Sequence, residues 1–131
     1  MRNQPIVSST ADEALSAAVL ADDVDLTPTL REIVLDESVR VETRKQALFW
    51  LGQTDASTRD LTSLYDRLKP VELREHFTFV VSQRRDDEGL DKLMDIARHD
   101  RDSQIRKQAM FWLGQSHDPR AAKFFRDILT P

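Results

Sequence analysis

Cysteine is absent from this 131-residue chain. Disulfide frameworks, zinc–thiolate sites and cysteine nucleophiles are therefore excluded. Glycine is scarce, with three residues, and proline modest, with five. Turn-rich β folds use more of both, so the balance favours helices. No uncharged run reaches the length of a membrane-crossing helix, and the opening MRNQPIVSST lacks the apolar segment of a signal peptide. An intact chain of this kind is expected in the cytoplasm; for a piece cut from a longer protein the address would lie elsewhere. A basic half is also missing. Residues 1–65 carry six basic and eleven acidic side chains, residues 66–131 thirteen and twelve, for a net charge of −4. General binding of nucleic acid or anionic membranes fits this poorly.

What is present is a repeat. Arg44–Gln53 reads RKQALFWLGQ, and 62 positions later Arg106–Gln115 reads RKQAMFWLGQ. A weaker copy, REHFTFVVSQ, occupies 74–83, with Arg74, Phe79 and Gln83 in register. The offsets of 30 and 32 make a unit of roughly 31 residues. Each unit reads as two helices. In the first, Thr43, Ala47 and Leu51, or Ile105, Ala109 and Leu113, lie along one face at four-residue steps. Gly52 and Gly114 then stand where a left-handed C-terminal cap favours glycine, whereas the middle copy has Ser82.

The second helices have their own start signals. Asp118-Pro119 and Thr27-Pro28 pair an N-cap with proline in the first turn. Ser57 with Asp60 opens STRDLTSLYDRL, and Asp86-Asp87 opens DDEGLDKLMDIAR. Leu61, Leu64, Tyr65 and Leu68 form one apolar stripe, and Leu90, Leu93, Met94 and Ala97 another. Thr10 with Glu13 reads as a capping box before ADEALSAAVLAD. Four hairpins result, at 10–35, 37–69, 70–99 and 102–129, in a single domain over 1–131. One such hairpin cannot bury its apolar surface alone. Stacked copies bury each other, which is why the same side chains recur.

The last unit follows Asp-x-x-Ile-Arg-x-x-Ala-x-x-x-Leu-Gly, carried by Asp102, Ile105, Arg106, Ala109, Leu113 and Gly114. Asp118, Pro119, Arg120 and Ala121 follow. This pattern resembles HEAT repeats, above all the short HEAT-like repeats of bacterial proteins and of phycobilisome lyases. Arg44, Ala47, Leu51 and Gly52 match in the unit at 37–69, which departs at Thr43 and lacks the Asp-Pro; the unit at 70–99 matches loosely. The resemblance implies an all-α, right-handed α-solenoid whose concave face binds another macromolecule; that face is expected to be built from the second helices and its partner to be another protein. Arg59, Arg67, Lys92, Arg120, Lys123 and Arg126 would carry that face, with Asp66, Asp91 and Asp127 among them. It implies a non-enzymatic scaffold with no cofactor. Similarity to HEAT-like bilin lyases and to HEAT-like alkylpurine glycosylases keeps a lyase or lyase subunit, or a DNA-binding module, as alternatives.

Other candidates have two readings each. Arg44, Arg74 and Arg106 are either a ladder bonding to aspartates or loop carbonyls of the next repeat, or an anion-binding stripe. Gln53, Gln83 and Gln115 are expected to satisfy helix-end and loop groups. Phe49, Phe79 and Phe111 are inter-repeat core, because stacking must repeat its packing residues, or an aromatic row anchoring a partner. His99 with Asp100 and Asp102 could hold a metal only weakly; the two aspartates read more simply as turn and cap residues. Asp86, Asp87 and Glu88 suit a helix N-terminus. No nucleophile–base pair or phosphate-binding glycine loop is present, so no catalytic or metal residues are assigned. Self-association is expected, if at all, through the final helix with Phe124, Phe125, Ile128 and Leu129.

Overall fold

The computed structural model describes residues 25–130. The expected capping box at Thr10 and Glu13, the helix after it, and Asp22 and Asp23 lie outside these residues. Among the described residues the chain is all-helical, without strands: α1 Thr27–Leu35, α2 Val41–Gln53, α3 Thr58–Thr62, a 3₁₀ turn Tyr65–Arg67, α4 Val71–Ser82, α5 Asp87–His99, α6 Ser103–Gln115 and α7 Pro119–Leu129. None of these helices is long and apolar enough to cross a membrane.

The helices fall into two compact units, one ending at Ala56 and one beginning at Ser57. In the first, α1 packs on α2. Leu30 and Val34 meet a face made of Ala47, Leu48 and Leu51, all at most 2% exposed. In the second, the first helices α4 and α6 pack against each other, and α5 lies between α3 and α7 while also contacting α4 and α6. Two layers result, with the four-residue apolar stripes turned inward. Phe77, Ile105, Ala109 and Leu113 are fully buried there.

The caps explain where the helices start. Asp86 accepts the Gly89 backbone N–H at 2.8 Å, and Asp118 the Arg120 N–H at 2.8 Å. Ser57 accepts from Asp60 at 3.1 Å, and Asp102 from Gln104 at 2.8 Å. Each satisfies an N–H that the helix leaves unpaired. Gly89 has a packing reason as well. A Cβ there would lie 3.1 Å from the Val81 carbonyl oxygen, so a side chain at this position would press α5 away from the end of α4.

Three local expectations need correcting. Thr27 is not the cap of α1: Leu26 is, and the Asp25 carboxylate accepts the Thr27 N–H at 3.0 Å instead. The stretch STRDLTSLYDRL is not one helix. The Thr62 and Ser63 hydroxyls bond back to the Arg59 and Asp60 carbonyls at 3.0 and 2.7 Å, competing with the backbone ladder, and the chain tightens into the 3₁₀ turn. Gly52 and Gly114 are not left-handed caps. Both lie inside helices, and no described glycine has positive φ. The left-handed residues are Arg85 and His117, both at φ 56°. Each stands two positions after the recurring glutamine, where only two residues separate it from the next N-cap. The hairpin at 37–69 has three residues there and needs no such turn.

The departure at Thr43 has an energetic consequence. Thr43 is 1% exposed and its hydroxyl has no hydrogen-bond partner. The same register holds Leu73 and Ile105, both fully buried. A buried hydroxyl without a partner costs about 1–3 kcal/mol. Thr43→Val keeps the shape and should raise unfolding stability by about 1 kcal/mol in a urea titration; an unchanged or lower midpoint would contradict this account.

Candidate functional site

The second unit carries a cleft of about 290 Å³ on its second-helix side. Its floor is Tyr65, Arg74 and Asp100; its rim includes Asp66, Lys69, Lys92, Asp95, His99 and Arg101. The 3₁₀ turn presents Tyr65, the second turn of α4 presents Arg74, and the end of α5 delivers Asp100. Three donors converge on the Asp100 carboxylate. The Tyr65 hydroxyl donates to Oδ2; Arg74 and the Asp102 backbone N–H donate to Oδ1, both at 2.8 Å. The Arg74 and Asp100 side chains are 6% and 5% exposed. Arg106 closes the same corner by donating to the Asp100 carbonyl.

Burial alone would push the Asp100 carboxyl up. The hydrogen bonds from Tyr65, Asp102 and Arg74, with the guanidinium charge, outweigh it and hold the group below the usual carboxylate range. Burial likewise works against the charge on Arg74, but Asp100 and Tyr65 raise its pKa above the ordinary arginine value. Burial and the bond to Asp100 push the Tyr65 hydroxyl well above its ordinary value, so it stays a neutral donor. The floor is thus a closed clamp. Three donors and the guanidinium charge hold Asp100 in its ionised form as a fixed structural acceptor, and most of the polar groups left for a ligand are those of the rim.

The face around this cleft is a lattice of exposed ion pairs. Arg59 of α3 meets Glu88 of α5 at 3.1 Å. Arg120 of α7 reaches back to Asp87 at 3.2 Å and to Asp91. Lys123 pairs with Asp127 within α7 at 2.9 Å. Lys92 lies 3.7 Å from Asp95 and sits over the Tyr65 ring, 4.9 Å from its centre. Arg67 and Arg126 are exposed and make no ion pair among the described residues. Four of the six basic residues expected on this face therefore already have acidic neighbours. Asp91 and Asp127 are two of those neighbours, and Asp66 lies on the cleft rim.

The recurring arginines are structural. Arg44 is 3% exposed and donates to the Val34 carbonyl at 2.9 Å; Arg74 and Arg106 serve Asp100. They form no accessible anion stripe. The recurring glutamines do not bond the helix-end carbonyls directly; Gln83 donates to the Ser82 hydroxyl at 3.2 Å. Hydroxyls one residue away bond those carbonyls: Thr54, Ser82 and Ser116 donate to the Leu51, Phe79 and Leu113 carbonyls, each at 2.6 Å. Gln53, Gln83 and Gln115 are exposed, and the last two rim a second hollow of about 340 Å³ floored by Val81, Leu90, Leu93 and Trp112. The aromatic row divides. Phe49 and Phe79 are half-buried, whereas Phe111 is 53% exposed and outside the core.

His99 does not join Asp100 and Asp102. Its Nδ1 lies 3.0 Å from Asp95, Asp100 is taken up by the clamp, and Asp102 caps α6. Among the described residues no group of three potential ligands could hold a metal ion. The Tyr65–Arg74–Asp100 clamp is what sequence reasoning missed. The only tyrosine in the chain stood in an apolar stripe, and nothing in its spacing tied it to an aspartate 35 positions away. No protein-family model, curated protein or solved structure matches the chain.

Proposed function

We propose that the chain is a non-enzymatic protein–protein interaction module: a HEAT-like helical solenoid that takes its partner on the second-helix face. The observation that carries this reading is the cleft, with a rigid floor and a rim of Lys69, Lys92 and Arg101 set against Asp66 and Asp95. Exposed ion pairs such as Arg59–Glu88 and Lys123–Asp127 are screened by solvent and add little to stability. They exchange readily for the carboxylates of an incoming acidic segment. A clamped floor keeps the rim in place meanwhile, so little order has to be gained on binding.

The test is capture from nuclease-treated lysate of the source organism with wild type beside R67E/R101E, two exposed positions flanking the cleft. One stoichiometric protein should be retained by wild type and lost from the variant, while the variant's helical circular dichroism and melting stay unchanged. Retention by both, or loss of all binding after nuclease, would remove this reading.

A further inference from the structure

The second hollow lies toward the opposite end of α5 from the cleft, wholly within the unit that begins at Ser57. Its volume of about 340 Å³ is near the lower end of the roughly 300–1,000 Å³ of ligand sites, so it suits a small occupant. The floor is apolar. Val81 comes from the end of α4, Leu90 and Leu93 from the first two turns of α5, and Trp112 from the last turn of α6. Phe111 extends this surface. It is 53% exposed, one helical turn before Gln115 on the lip, and in edge contact with Trp112 at 4.9 Å. The final helix, by contrast, is not the free apolar end expected from sequence. Phe124 is 3% exposed beneath the Arg98 guanidinium, and only Leu129, at 73%, is strongly exposed.

The lip decides what fits above that floor. Its carboxylates are already engaged. Asp86 accepts from the Thr58 hydroxyl at 2.5 Å and from the Gly89 N–H at 2.8 Å, and Asp118 accepts from the Arg120 N–H at 2.8 Å. Both stand at helix N-termini, whose dipoles offset a negative charge. Arg85 adds one exposed guanidinium. The lip therefore carries both signs and selects for neither. The Ser82 and Ser116 hydroxyls are donating to helix carbonyls. Two carboxamides remain. Gln83 reaches only the Ser82 hydroxyl, at 3.2 Å, and Gln115 makes no hydrogen bond among the described residues. A carboxamide both donates and accepts, as a peptide group does.

We propose that this hollow takes one apolar side chain from an extended, uncharged segment of another protein, with Gln83 and Gln115 bonding the peptide groups on either side of it. The segment is extended because a helix keeps its own amides bonded internally and leaves none for the carboxamides. It is uncharged because the lip offers no unopposed charge, and a charged side chain would lose its hydration over the apolar floor. Burial of the side chain supplies the affinity, and the carboxamides fix the register of the backbone. The hollow shares no lining residue with the second-helix cleft, so each proposal stands or fails alone.

The experiment is a nuclear magnetic resonance titration of the full chain with small peptide mimics. N-acetyl-leucinamide carries one apolar side chain between two amides. It should shift the Trp112 indole and Gln115 carboxamide signals saturably, with a Kd on the order of millimolar for so small a ligand, unchanged at high salt. N-acetyl-glycinamide, with the same amides and no side chain, should bind roughly tenfold or more weakly. Acetyl-Ala-Leu-Ala-amide, which adds peptide groups, should bind severalfold more tightly than N-acetyl-leucinamide. Q83A/Q115A changes two exposed residues. It should keep the dispersed spectrum of a folded chain yet bind the tripeptide about tenfold more weakly, whereas R67E/R101E should bind it like wild type. The proposal is overturned by shifts that do not saturate or that miss Trp112, by equal binding of the glycine compound, or by full affinity in Q83A/Q115A. A tripeptide no tighter than N-acetyl-leucinamide would overturn it too, as the mark of a site for small amides. So would a preference for the carboxylate N-acetyl-leucine that is lost in Arg85→Ala, as the mark of an anion site.

Discussion

Arg74→Leu is expected to cost about 3–5 kcal/mol of unfolding free energy, because it leaves the Asp100 carboxylate in the protein without its counter-charge. The two side chains are 6% and 5% exposed, so solvent offers Asp100 little compensation. Tyr65 and the Asp102 N–H would remain as donors, which is why the loss stays near the range for breaking a buried pair. Arg74→Leu/Asp100→Asn should recover a substantial part, since the second change removes the stranded charge; a double variant no better than the single would contradict the pairing. The same clamp sets a pH dependence. The Asp100 carboxyl lies below its ordinary value in the folded state. The unfolded chain therefore takes up this proton at higher pH than the folded one does. The contribution of Asp100 is fully present above the unfolded carboxyl pKa, about 3.9, and is lost as pH falls through the lower folded value. Guanidinium titrations from neutral pH downward should show wild-type stability falling in that acid window. Asp100→Asn should be less stable at neutral pH and should lose less on acidification.

Phe77→Ala is expected to cost about 3–5 kcal/mol, the range for emptying a ring-sized site in a packed core. Phe77 is fully buried, and its ring centre lies 5.0 Å from that of Tyr65. The equivalent positions in the other repeats are Ala47 and Ala109, also fully buried. The middle repeat thus fills a space that its neighbours do not have. That space faces the short α3 and the 3₁₀ turn, where Tyr65 stands in place of a continuous second helix. A domain of ordinary stability, about 5–15 kcal/mol, would be left close to its threshold, and Tyr65 would lose one wall of its setting. Denaturant unfolding followed by tyrosine and tryptophan fluorescence would report both. A loss below about 1 kcal/mol would mean that the core collapses around the gap.

Much of the helical architecture was legible in the residues. Asp86, Asp102 and Asp118 announced helix starts because an N-cap is local chemistry, a carboxylate accepting an N–H two or three residues on. Ile105, Ala109 and Leu113 announced a buried face because a four-residue step is set by helix geometry alone. The ends of the first helices were read less well. Glycine before glutamine suggested a cap, but the helices run through Gly52 and Gly114, and the left-handed turns fall on Arg85 and His117. Loop length decides that, and a residue-type preference does not contain it.

Where the side chains go beyond their own helix was decided by packing. Arg44, Arg74 and Arg106 occupy one repeat position, yet they reach a helix carbonyl, a buried carboxylate and a loop carbonyl. Phe79 and Phe111 also share a position, and one is covered by Trp112 while the other faces outward. Recurrence in the chain marks equivalent places along a helix, and period and capping identify most of the helices, though not the break after Thr62. Exposure, charge pairing and the cleft depend on which neighbouring helix is present at each place. That depends on contacts between residues tens of positions apart, which no local pattern encodes.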